Sequence, residues 1–170
     1  GWGSFQGHSA WGDYDNDGDL DLLFIDKSEA FASDSRVIVQ RNNGDGTFSN
    51  SATGIPETLY GAAAWGDYDN DGDLDVLITG QDLQGILISR IYQNDRGRFR
   101  DIGADLPGVS DGAVAWGDYD NDGDLDVLAN GTDGVNRQLR VYQNYGNRIS
   151  NGTALEVVGV NNGLADGQVS

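Results

Sequence analysis

AWGDYDNDGDLDVL, Ala64–Leu77, is spelled again at Ala115–Leu128 and, with Leu in place of its Val, at Ala10–Leu23. In each copy aspartate takes every second place of a nine-residue loop, from Asp67 to Asp75 in the middle copy, with Gly72 at the sixth place. Carboxylates this close repel one another, so the pattern predicts a positive partner. Calcium takes about six to eight hard oxygens, and short side chains on a loop bent at a glycine deliver them. Magnesium fits less well, because it demands a near-ideal octahedron and keeps its waters. An EF-hand loop begins the same way but needs a bidentate acid at its twelfth place. Here that place is Phe24, Ile78 and Ala129, and the flanks read as strands rather than helices. The ninth-place acids Asp21, Asp75 and Asp126 are therefore expected to close the site.

Outward from the phrase, the rest of the chain keeps step. Trp11, Trp65 and Trp116 are spaced by 54 and 51 residues. Gly7, Gly61 and Gly112 precede them, and Asn42, Asn94 and Asn144 follow, then Phe48, Phe99 and Ile149. The units are placed at 1–53, 54–107 and 108–163. DGQVS at Asp166–Ser170 matches DGAVA at Asp111–Ala115, so 164–170 is expected to start a further strand. In the middle unit the expected strands are Gly61–Trp65, Leu74–Thr79, Ile86–Asn94 and roughly Arg98–Ile102. Leu74–Thr79 is apolar on both faces, as in a strand covered on both sides. NGDG at Asn43–Gly46 signals a hairpin between the third and fourth strands of the first unit. No segment holds a helical period. Four strands in about 50 residues is the pattern of a β-propeller blade. The expected fold is all-β, with three four-stranded antiparallel blades forming an incomplete ring or part of a larger array. A closed ring takes about four to eight blades. Three imply a longer chain, or copies that associate through exposed blade edges.

Composition narrows the function classes. The 170 residues carry 28 acidic and 10 basic side chains, a net charge of −18. That balance argues against nucleic acid and anionic membrane surfaces as partners. Much of the acidity lies in the three loops, where it is expected to be neutralised locally. Cysteine is absent, so no disulfide framework or thiol chemistry is available. No apolar run approaches the roughly 20 residues of a membrane span. The opening Gly-Trp-Gly shows no charged and apolar leader and suggests a processed chain, an excised one or a fragment.

The spacing D-x-D-x-D-G-x-x-D between two strands, together with NNGDGTF at Asn42–Phe48, resembles the FG-GAP repeats of integrin-alpha-like propellers. The wording is similar to that of their bacterial extracellular, VCBS-type relatives. The resemblance covers nearly the whole chain. It implies one Ca²⁺ per repeat, held by the side chains at places 1, 3, 5 and 9 and the carbonyl at place 7. Carried over, the sites are Asp13, Asp15, Asp17, Asp19 and Asp21; Asp67, Asp69, Asp71, Asp73 and Asp75; and Asp118, Asp120, Asp122, Asp124 and Asp126. Place 7 is itself Asp in all three, an additional carboxylate that either faces solvent or pairs with a neighbour.

Trp11, Trp65 and Trp116 are read as wedges between blades rather than a ligand-stacking set. Tyr14, Tyr68 and Tyr119 are expected to pack on the neighbouring blade, the alternative being a row of rings for sugar stacking. His8 is the only histidine and is read as incidental. No Ser/His/Asp or Cys/His set can be assembled without it, so no enzyme is expected. The loops Asp26–Arg36, Gly80–Gly85 and Asn130–Arg137 vary most and are where specificity would sit. Asn130 and Asn151 open glycosylation sequons. The expected function is a non-enzymatic, calcium-stabilised extracellular scaffold for adhesion or surface assembly, with glycans or surface proteins as further candidate partners. The alternatives are a carbohydrate-binding propeller lectin and an accessory domain of a polysaccharide-active enzyme.

Overall fold

The computed structural model describes residues 9–26, 36–104, 106–146 and 155–160. Gly7, His8, Ile149, Asn151, most of the loop Asp26–Arg36 and the expected strand at 164–170 lie outside the described residues.

The described chain is all-β, with no helix among the described residues. The first sheet is β1 (Ser9–Gly12), β2 (Asp21–Asp26), β3 (Arg36–Asn42) and β4 (Phe48–Asn50). The second is β5 (Leu59–Gly66), β6 (Asp75–Gln81), β7 (Leu87–Asp95) and β8 (Arg98–Asp101). The third is β9 (Ser110–Gly117), β10 (Asp126–Thr132), β11 (Arg137–Asn144) and β12 (Leu155–Val160). Each sheet pairs its strands in chain order, all antiparallel, and none closes into a barrel. Strand ends in the middle unit fall within two residues of the expected ones. NGDG forms the β3–β4 turn, closed by the Asn43 N–H donating to the Thr47 carbonyl at 3.0 Å.

The repeated phrase folds identically in each sheet. Trp65 pairs with Val76 and Gly66 with Asp75, so the acidic loop joins the first strand to the second. The same register recurs at Trp11 with Leu22 and Trp116 with Val127. Successive residues of β6 point to opposite faces, and both faces are covered. Val76 and Ile78 pack with Leu23, Ile25, Val37 and Val39 of the first sheet. Leu77 packs with Val127, Ala129 and Tyr142 of the third. The consecutive apolar residues Val76, Leu77 and Ile78 of β6 are thus the signature of a sheet sandwiched between two others. The sheets are stacked in chain order, and their first strands, β1 to β5 and β5 to β9, touch. All three acidic loops leave at the same end of their sheets.

Candidate metal centre in the acidic loops

Each loop is wound by its own aspartates. The carboxylate at place 1 accepts the N–H groups of places 5 and 6: Asp67 takes Asp71 N and Gly72 N, both at 3.0 Å. Asp13 and Asp118 do the same. The carboxylate at place 5 accepts the N–H of place 7. This curl needs left-handed backbone at two places. Asn16, Asn70 and Asn121 supply it at place 4 with φ of 57°, 58° and 61°. Gly18, Gly72 and Gly123 supply it at place 6 with φ of 94°, 93° and 96°, where a Cβ would be strained.

The curl brings three carboxylates together in every loop. Asp13, Asp15 and Asp17 each offer an oxygen within 4.8 Å of the others, as do Asp67, Asp69 and Asp71, and Asp118, Asp120 and Asp122. The carboxylate at place 3 is also held by a side chain from the third strand of its sheet. Gln93 Nε2 donates to Asp69 Oδ2 at 2.7 Å, Gln143 donates to Asp120 Oδ2, and Arg41 Nε meets Asp15 Oδ2 at 2.7 Å. Oδ1 of Asp15 and of Asp69 is left buried with no hydrogen-bond partner. A buried carboxylate oxygen without a donor is costly, and a cation in the cluster would satisfy it. Burial raises the Asp69 pKa, and the Asp71 charge adds to the rise. In the first loop the Arg41 guanidinium also reaches Asp17 at 2.8 Å and holds its carboxyl below the usual range.

Places 7 and 9 sit apart from these triads. Asp21, Asp75 and Asp126 are buried beneath their loops. Each accepts from the backbone N–H of place 2 and from that of Asn42, Asn94 or Asn144 at the end of the third strand. Burial pushes Asp75 up to about 8 and raises Asp21 as well. At place 7, the Asp73 and Asp124 carboxylates pair with a neighbour: they accept from Asn16 and Asn70 of the preceding sheet at 2.7 and 2.8 Å. Tyr14 is buried and stacked on Trp65, ring centroids 6.0 Å apart and planes 2° apart. Tyr68 packs with Trp116 in the second core. Two of the three rings are therefore spent on packing between sheets.

The supports behind the carboxylates were not singled out in the sequence. Gln93 and Gln143 precede Asn94 and Asn144, so the repeated dipeptide was the available signal. Arg41 in the same place of the first unit marks that loop as different. No helix among the described residues is long and apolar enough to cross a membrane.

Stacked four-stranded antiparallel sheets, each with an acidic loop able to hold a cation between its first two strands, define a repeat scaffold of blade type. Residues 13–78 match the model of the FG-GAP-like repeat. The match takes in the first two acidic loops; the third has the same spacing and the same hydrogen bonds. No curated protein and no solved structure is significantly similar to the chain.

Proposed function

We propose that the chain is a non-enzymatic, calcium-stabilised extracellular scaffold for adhesion or surface assembly, with one Ca²⁺ in each of the units 1–53, 54–107 and 108–163. The observation that carries this reading is the orphaned, buried Oδ1 of Asp15 and of Asp69, in residues that each share a cluster with two further carboxylates. The donor set is all hard oxygen, which suits calcium. The carboxylates at places 1, 3 and 5 would hold the ion, with places 7 and 9 completing the set implied by the family. The ion would supply positive charge that offsets the crowded acids. The chain's own part is to pre-form the curl, fix place 3 from β3, β7 or β11, and bury place 9. A loop so fixed ties the first two strands of each sheet together, so binding the ion is coupled to folding. Sites of modest affinity suit the roughly millimolar calcium outside cells.

Calorimetric titration of chelator-treated protein with calcium, with magnesium in parallel, tests the reading. The expected result is three calcium sites and a higher melting temperature, with magnesium much weaker. No binding heat and no thermal shift would overturn it.

A further inference from the structure

We propose that Arg41 is a tethered cation built into the first acidic loop, which keeps that loop curled when its ion leaves and makes it the last of the three to fill. The order of filling rests on the calcium reading above; the curl rests on ion pairs within the chain. The three loops are each other's control. Places 1, 3 and 5 are aspartate in all of them. The carboxylates at places 1 and 5 accept the same backbone N–H groups in each. Place 9 is also held alike, by the N–H of Asn42, Asn94 or Asn144. What differs is the residue just before that asparagine: Arg41 in the first unit, Gln93 and Gln143 in the others.

Each glutamine reaches one carboxylate of its triad. Gln93 Nε2 donates to Asp69 at 2.7 Å, and Gln143 Nε2 donates to Asp120. Arg41 reaches two. Its Nε meets Asp15 Oδ2 at 2.7 Å and its Nη2 meets Asp17 Oδ2 at 2.8 Å, so the guanidinium spans places 3 and 5. Asp71 and Asp122, at place 5 of the other loops, have no cationic partner among the described residues. A neutral amide adds no charge to the cluster, whereas a guanidinium adds a full positive one on a planar fork that suits carboxylates. Three carboxylates and one guanidinium leave the first triad at −2 when ionised, against −3 in each of the others. Arg41 lies on β3, opposite Ser49 of β4, and its neighbour Asn42 donates to Asp21. The charge is thus carried on the strand that closes over place 9 and stays with the loop while the sheet is intact. Two effects of opposite sign follow. Without an ion, the guanidinium offsets a repulsion between places 3 and 5 that is unopposed in the other loops. With one, the same positive charge repels the ion and holds two carboxylate oxygens of the triad. The side chains of Arg41, Asp15 and Asp17 are 47%, 21% and 28% exposed, so solvent screens the effect and the first site is weakened about fivefold, not abolished. The first sheet then keeps its bend through a fall in calcium that loosens the other two.

Calcium titration by calorimetry and thermal melting of the full chain, as wild type, Arg41→Gln and Gln93→Arg, read the result. Arg41→Gln should tighten one site about fivefold, and Gln93→Arg should weaken one by a similar factor. Melting separates a tethered cation from an ordinary surface ion pair. In chelator, Arg41→Gln should melt below the wild type. In saturating calcium that deficit should close or reverse, because the tighter site returns stability through binding. A deficit of the same size in both conditions would overturn the proposal, since Arg41 would then be a structural ion pair only. So would a titration that Arg41→Gln leaves unchanged, or a second site that Gln93→Arg fails to weaken. These outcomes, in a wild type that takes up calcium, count against the role of Arg41 alone. A wild type that takes up none overturns the calcium reading and the order of filling together.

Discussion

Removing the cation and then raising the pH should destabilise the fold, and Asp75 sets the size of the effect. Its carboxylate is fully buried and accepts the N–H groups of Tyr68 and Asn94 at 2.9 and 2.8 Å. Burial dominates, lifting its pKa from 3.8 to about 8, with the Asp69 and Asp71 charges pushing the same way against those two bonds. In the unfolded chain the group returns to 3.8. Between the two values the folded chain holds a proton that the unfolded chain has released. The stability contributed by protonated Asp75 is therefore complete below 3.8 and falls away as the pH rises to about 8. A span of roughly four pH units is worth on the order of 5 kcal/mol. That is comparable with the entire stability of a small domain, about 5–15 kcal/mol. Asp21, also raised by burial, acts in the same direction. The assay is urea unfolding of cation-stripped protein at about pH 5 and about pH 8, followed by tryptophan fluorescence. The midpoint should drop steeply at the higher pH. Saturating calcium should flatten this dependence, since the ion favours ionised carboxylates, and should add about 2.7 kcal/mol per site at a hundredfold excess over Kd. A cation-free midpoint that is level or rises over this range would refute the reasoning.

Two further predictions separate the packing between sheets from the loops. Gly66→Ala puts a Cβ 2.5 Å from the Trp116 ring and should cost about 1–3 kcal/mol, lowering Tm by several degrees, whereas Gly117→Ala meets nothing among the described residues and should leave Tm unchanged. Arg41→Gln removes the guanidinium from Asp15 and Asp17 and gives the first loop the support that Gln93 and Gln143 give the others; its calcium Kd should fall roughly fivefold, about 1 kcal/mol, read by titration of the single variant.

Much of the fold was legible because the phrase is self-consistent at each level. A two-residue period that is apolar on both faces requires a strand covered twice, and β6 is one. Turn chemistry at NGDG and at the acidic loop requires left-handed backbone, and Gly44, Asn70 and Gly72 adopt it. Of the five carboxylates marked in each bend, the curl brings those at places 1, 3 and 5 within 4.8 Å of one another. The wedge role of tryptophan was readable for Trp65 and Trp116. Trp11 is 61% exposed, with no sheet on its outer side among the described residues.

The sequence by itself determined that this is a repeated all-β chain with three acidic bends, because strand period, turn residues and carboxylate spacing are local quantities. Only the tertiary structure decided what each aspartate of a bend does. Place 9 is buried because β3, β7 and β11 close over it, and place 7 reaches the preceding sheet because stacking sets the neighbouring loop beside it. The identical phrases of Trp11 and Trp65 differ in exposure for the same reason: burial belongs to what packs against a residue from far along the chain, and no window of sequence contains it.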